Sequence, residues 1–177
     1  LEDFLEILLS SIKPFELVLS SVNINSLLGK WTSELKDILD SRRITVNMEL
    51  ESGLPEIRAD EERLSQAFEN IIKHAVISIP DGGTLSVSTT REQESIIVLI
   101  THSVERLSDD DLEKFFFPHI EDAQEWSVHD LPLSKIIIHR HGGIVNLLRE
   151  AGNMVRIRIE FPLVADEDTP LKEGDRP

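Results

Sequence analysis

The stretch from Asp60 to Gly83 constrains the fold more than any other part of the chain. Leu64, Ala67, Phe68, Ile71, Ile72, Ala75 and Ile79 recur at helical spacing, which predicts one long helix opening at Asp60 with a single apolar face. Pro80-Asp81-Gly82-Gly83 stops it. The period then changes to two, predicting strands over Thr84 to Arg91 and Ser95 to Thr101 with Glu92 and Gln93 at the hairpin between them. Ile96 to Ile100 is apolar at every position, so the second strand is expected at the centre of a sheet, covered on both sides. A one-faced helix next to strands asks for a helical layer packed on a sheet.

The flanking segments extend that plan. Upstream, Ile44, Val46, Met48 and Leu50 alternate with Thr45, Asn47 and Glu49, the pattern of a half-buried strand ended by Ser52-Gly53. Val22 to Ile24 is a short strand candidate, followed by a helix capped by Asn25 or Ser26 and running to about Arg42. Downstream, Ser108 is expected to cap a short helix whose first turn holds Asp109, Asp110 and Asp111, and Pro118 to about Asp130 is irregular. A helix over Leu131 to His141 stops at Gly142-Gly143, and Ile144 to Glu150 pairs with Asn153 to Phe161. The fold class is therefore a two-layer α/β sandwich with a mixed, mostly antiparallel sheet and helices on one face. Residues 20–163 form the domain. Residues 1–19, with Leu1, Leu5, Leu8, Leu9 and Ile12 on one stripe, are expected to be the end of a preceding helix and its linker, and residues 164–177 an acidic, disordered tail.

Charge and composition remove several function classes. The net charge of −15 leaves nothing to displace counterions from a nucleic-acid backbone. The chain has no cysteine, which excludes disulfides and thiolate chemistry and fits a reducing, cytoplasmic setting. The longest apolar run is far too short to cross a bilayer, so no membrane contact by this segment is expected. The first residue is Leu1, so the chain is expected to be a piece of a longer protein.

Four segments, LPEIRADEERLSQAFENIIKHAV, PDGGTLSV, LSDDDLEKFFFPH and HRHGGIV, carry a resemblance in sequence and spacing. In this order the chain resembles the ATP-binding catalytic domain of sensor histidine kinases, the Bergerat or GHKL fold, over about residues 20–163. The resemblance implies a preceding dimerisation and phosphoacceptor helical domain, a homodimer through that helix, and a response regulator as partner.

The same resemblance exposes departures at each ligand position. The asparagine box that gives magnesium an amide oxygen reads Asn70-Ile71-Ile72-Lys73-His74-Ala75, with Lys73 available to a phosphate and His74 standing at the magnesium position. Magnesium wants oxygen ligands, so an imidazole is a poor substitute. Where the family has D-x-G-x-G, with the aspartate accepting from the adenine amino group, this chain has His102, Ser103, Val104, Glu105 and Arg106. A neutral imidazole accepts one hydrogen bond and carries no fixed negative charge. The second glycine box falls on Val128, His129, Asp130 and Leu131, where Asp130 as N-cap sets a carboxylate in the phosphate site. No glycine occurs between Thr84 and His141, and Glu121, Asp122, Glu125 and Asp130 replace the flexible lid. At roughly 1.5 to 3 kcal/mol for each charge-assisted hydrogen bond, losing three or four removes most of a micromolar affinity.

Asn70, Lys73, His74 and His102 are thus read as vestigial nucleotide-binding residues, with no catalytic residue, no metal site and no resident cofactor expected. Bland readings cover the rest: helix-start acids for Asp109 to Asp111, and core packing for at least two of Phe115, Phe116, Phe117 and Trp126, the remainder being expected as an exposed patch for a neighbouring helical domain or partner protein. His139 and His141, two apart on a helix, cannot share an ion. The function expected is a degenerate histidine-kinase-like ATPase domain with weak or no ATP binding, acting as a docking or regulatory module of a two-component protein. The alternatives are an active kinase module using Mg-ATP to phosphorylate an upstream histidine, and part of a phosphotransfer scaffold that docks a response regulator.

Overall fold

The computed structural model describes residues 16–106 and 130–163. The helical stripe over Leu1 to Ile12, the acidic helix start at Asp109, the Phe115 to Phe117 and Trp126 cluster, and the tail from Val164 lie outside the described residues.

Among the described residues, two sheets and one helical layer make up the domain. β1 (Ser20–Val22) pairs antiparallel with β3 (Ile57–Ala59) in a two-stranded ribbon. The main sheet has the order β2-β4-β5-β7-β6, from β2 (Thr45–Leu50), β4 (Thr84–Glu92), β5 (Ser95–Ser103), β7 (Met154–Pro162) and β6 (Ile144–Glu150). Only β2 and β4 are parallel, because the chain between them crosses over through α3 (Glu61–Ser78); every other neighbour is antiparallel. The mixed, mostly antiparallel sheet is as the sequence implies.

The core lies between α3 and one face of this sheet. Leu64, Phe68, Ile71, Ile72 and Ala75 on α3 meet Leu85, Val87, Ile96, Val98, Ile100, Val155, Ile157 and Ile159, all essentially inaccessible to solvent. Phe68 and Phe161 join the layers edge to face, with centroids 6.2 Å apart. α1 (Ile24–Glu34) and α4 (Asp130–Arg140) pack on α3 from either flank.

The structure departs from the sequence expectations at several points. α1 is capped by Asn23, whose Oδ1 accepts the Ser26 amide at 3.0 Å, because the Asn25 amide is occupied with the Glu51 carbonyl and the Thr89 hydroxyl, each at 2.8 Å. The first strand ends at Val22 because Asn23 is the cap, two residues before the expected strand end at Ile24, which is instead the first residue of the helix. The helix expected to reach Arg42 breaks at Leu35 (ψ 3°) into α1 and α2 (Lys36–Ser41), a bend that buries both Leu35 and Leu39. The described part of α4 begins at Asp130, where the described residues resume. Finally, β5 is central but helices cover only one of its faces among the described residues. Its other face joins Ser86, Ser88, Thr101 and Arg156 in a shallow polar cleft of about 280 Å³, and Ile97 is shielded there by neighbouring strands, including its register partners Thr90 and Glu160.

Candidate nucleotide site

α3, the C-terminal end of β5 and α4 frame the candidate site. Asp60 sets the register of α3: its Oδ1 accepts the Arg63 amide at 3.0 Å, while Glu61 and Glu62 favour the helix dipole. Asn70 and His74, four residues apart, share one half-buried flank of that helix. At about 100° per residue, Lys73 turns away from His74. It pairs with Glu69 and lies over the Trp31 ring of α1, 6.0 Å from the centroid, with Lys30 at 5.0 Å. Asn70 and His74 are brought together, then, and Lys73 is held on the α1 side.

His102 is the most secluded polar residue of the site. It points from β5 into the core face, with Leu85 and Val155 as its register partners, and is 0% exposed. Its Nδ1 lies 3.3 Å from the Ser103 carbonyl, which can only accept, so Nδ1 carries the proton and Nε2 is left as a bare acceptor. That Nε2 has no hydrogen-bond partner among the described residues. Burial pushes the imidazole below its usual pKa, against a smaller upward pull from the Ser103 carbonyl, so the ring is neutral near pH 7. Ser103 ties back to β4 by accepting the Thr84 amide at 2.9 Å, and the Val104 amide donates to the Asn153 carbonyl at 2.9 Å. The Val104 side chain packs against the core. Among the described residues no group of three or more acidic, histidine or cysteine side chains is placed to hold a metal ion.

Sequence reasoning missed a second polar constellation at the opposite end of α3. The Asp60 amide donates to Nε2 of His141 at 2.9 Å, and the His141 Nδ1 donates to the Ile137 carbonyl at 2.7 Å. Both partners fix the tautomer, since a carbonyl only accepts and an amide N-H only donates. Asp60 Oδ2 also accepts the Val18 amide at 3.0 Å. Burial works against its charge, but the amide donors of Arg63 and Val18 hold the carboxyl below its ordinary pKa. Only the N-cap role was signalled locally; a contact spanning 81 residues has no sequence period to betray it.

Comparison with known proteins agrees with this architecture. Residues 59–165, more than half of the chain, match the family described as histidine kinase-, DNA gyrase B-, and HSP90-like ATPase. The sensor histidine kinase ZraS of Escherichia coli K12 is 28% identical over 156 residues, covering 88% of this chain and 34% of ZraS, so the chain spans about a third of the length of this curated relative. The nucleotide-free catalytic domain of the histidine kinase ThkA superposes with a TM-score of 0.72 at 19% identity, over 81% of this chain and 95% of that one. ThkA in complex with the response regulator TrrA gives 0.72 at 20% identity, over 91% of this chain and 46% of that one. The chain belongs to the histidine kinase-, DNA gyrase B- and HSP90-like ATPase family.

Proposed function

We propose that this ATPase-fold domain serves a two-component histidine kinase in which nucleotide binding is weak or lost, leaving a docking and regulatory role. The observation that carries the reading is His102. At the position where the resemblance sets an anionic, partly accessible aspartate, the chain has a neutral ring with no exposed surface. Val104, where the resemblance sets a glycine, adds a side chain, which packs against the core. His74 offers nitrogen in place of the amide oxygen magnesium favours, and Lys73 is engaged with Glu69. Mg-ATP therefore fits these residues poorly.

One observation favours the active reading. The bare Nε2 of His102 is a buried acceptor, and a ligand amino group is the kind of donor that would satisfy it. In that case Mg-ATP is the cofactor and an upstream histidine the acceptor. Both readings place the domain in the cytoplasmic part of a sensor protein, next to a dimerising helical domain, and the ThkA–TrrA complex supports a response regulator as the partner class.

Back-substitution separates the two. His102→Asp with His74→Asn restores the oxygen donors, so Mg-ATP is expected to raise the unfolding temperature of this double variant more than that of the unsubstituted chain. A saturable shift in the unsubstituted chain that the two substitutions weaken would establish the active reading instead.

A further inference from the structure

We infer that Asp60 and His141 form a relay through which the chain segment entering the domain positions α4, independently of whether nucleotide binds. Three observations converge on it. First, the entering segment is seated on the start of α3: Ser20 to Val22 pair in register with Ala59 to Ile57, and the Val18 amide reaches the Asp60 carboxylate at 3.0 Å. Val18 and Leu19 keep 78% and 47% of their surface exposed, so these two residues are held by backbone hydrogen bonding, while Val22 anchors the strand in the core. Second, Asp60 is 7% exposed and uses both carboxylate oxygens, one for the entering segment and one for the first turn of α3. Third, the amide of the same residue is received by His141, which is locked to Ile137 one turn back in α4.

The geometry makes the three elements interdependent. If the entering segment shifts, Asp60 loses the donor to Oδ2, and the Ala59–Asp60 peptide, tied to Ser20 through the β1–β3 pairing, shifts with it and carries along the amide presented to His141. His141 cannot compensate by changing tautomer, because Nδ1 must keep its proton for Ile137. A displacement at Val18 is therefore felt at the C-terminal end of α4, one of the two helices that frame the candidate site. Asp60 and His141 act here as positioning residues, and a signal arriving through the upstream chain has a hydrogen-bonded route into the domain.

Val18→Pro tests this by deleting the donating amide while the exposed side chain it replaces contributes little; Val18→Ala keeps the amide. Amide hydrogen exchange and His141 ring-nitrogen NMR shifts, recorded on the full chain, are the readouts. With Val18→Pro, exchange at residues 134–141 is expected to rise about tenfold and the His141 nitrogens to shift, with neither change in Val18→Ala. By reciprocity His141→Ala should raise exchange at the Val18 amide, and the double variant should exchange no faster in α4 than His141→Ala alone. His141→Gln, which retains an acceptor for the Asp60 amide, keeps the coupling measurable if the alanine variant does not fold. Effects of Val18→Pro confined to residues 16–22 and the first turn of α3, with additive double-variant behaviour, would overturn the relay.

Discussion

At the scale of the residue, His102 makes a prediction that needs no ligand. Its folded pKa is depressed by burial, so on acidification the unfolded chain takes up a proton before the folded one does. The stability tied to this neutral ring is fully present above the ordinary imidazole value of about 6.5 and declines as pH falls toward the depressed folded value, by up to about 1.4 kcal/mol per pH unit. Measured between pH 7 and 5, the unfolding free energy of His102→Asn should show a shallower slope than that of the unsubstituted chain; equal slopes would assign the titration elsewhere. Gly83 makes a second. A Cβ there would press on the Ser103 hydroxyl and come within 2.6 Å of Ile79 Cγ2 and 2.8 Å of the Pro80 carbonyl, so Gly83→Ala should destabilise the fold by about 1 to 3 kcal/mol in denaturant titration. The residue type at position 102 was visible in the sequence, but its protonation state was not, because that depends on which strands lie beside it.

At the scale of the element, the long helix shows what a sequence can and cannot disclose. Its apolar period and its Asp60 cap were both legible, and α3 runs from Glu61 to Ser78 as they imply. Its C-terminal end is secured by Arg42, which donates to the Val76 carbonyl at 2.8 Å and to the Ile79 carbonyl, and pairs with Asp81 at 2.9 Å. Nothing in the local sequence announces that contact, since Arg42 is more than 30 residues away and reads as an ordinary helix-end cation. Carbonyls left without a donor at a buried helix end are costly, whereas Asp81 is 79% exposed. Arg42→Met should therefore cost about 1 to 3 kcal/mol and Asp81→Asn less than about 0.5 kcal/mol, as judged by chemical unfolding. The same distinction explains the break at Leu35 and the cap at Asn23. Each is decided by a tertiary partner, the core beneath Leu35 and the Glu51 and Thr89 groups that occupy Asn25, and periodicity carries no record of partners.

At the scale of the whole molecule, a mixed, mostly antiparallel sheet was legible in the periodic segments and the family in the motifs that carry the resemblance, whereas the strand order depends on long-range pairing and the candidate site turns on the departures from the family pattern. A net charge of −15 on 177 residues sets the electrostatic behaviour. Self-repulsion at this density opposes the compact state, and raising ionic strength from about 0.01 M to 0.1 M shortens the screening length from roughly 30 to 10 Å. The unfolding temperature should rise with sodium chloride over that range; a fall would mean that the ion pairs at Glu69, Glu92 and Glu160 outweigh the net repulsion. The central claim is that this family fold no longer holds nucleotide in the ordinary way. Its most direct test is the unfolding temperature of the chain with and without millimolar Mg-ATP or Mg-ADP at constant ionic strength. A ligand present at a hundred times its dissociation constant stabilises a fold by about 2.7 kcal/mol. The result expected is no saturable shift with either nucleotide, and a saturable rise approaching that stabilisation would contradict the account.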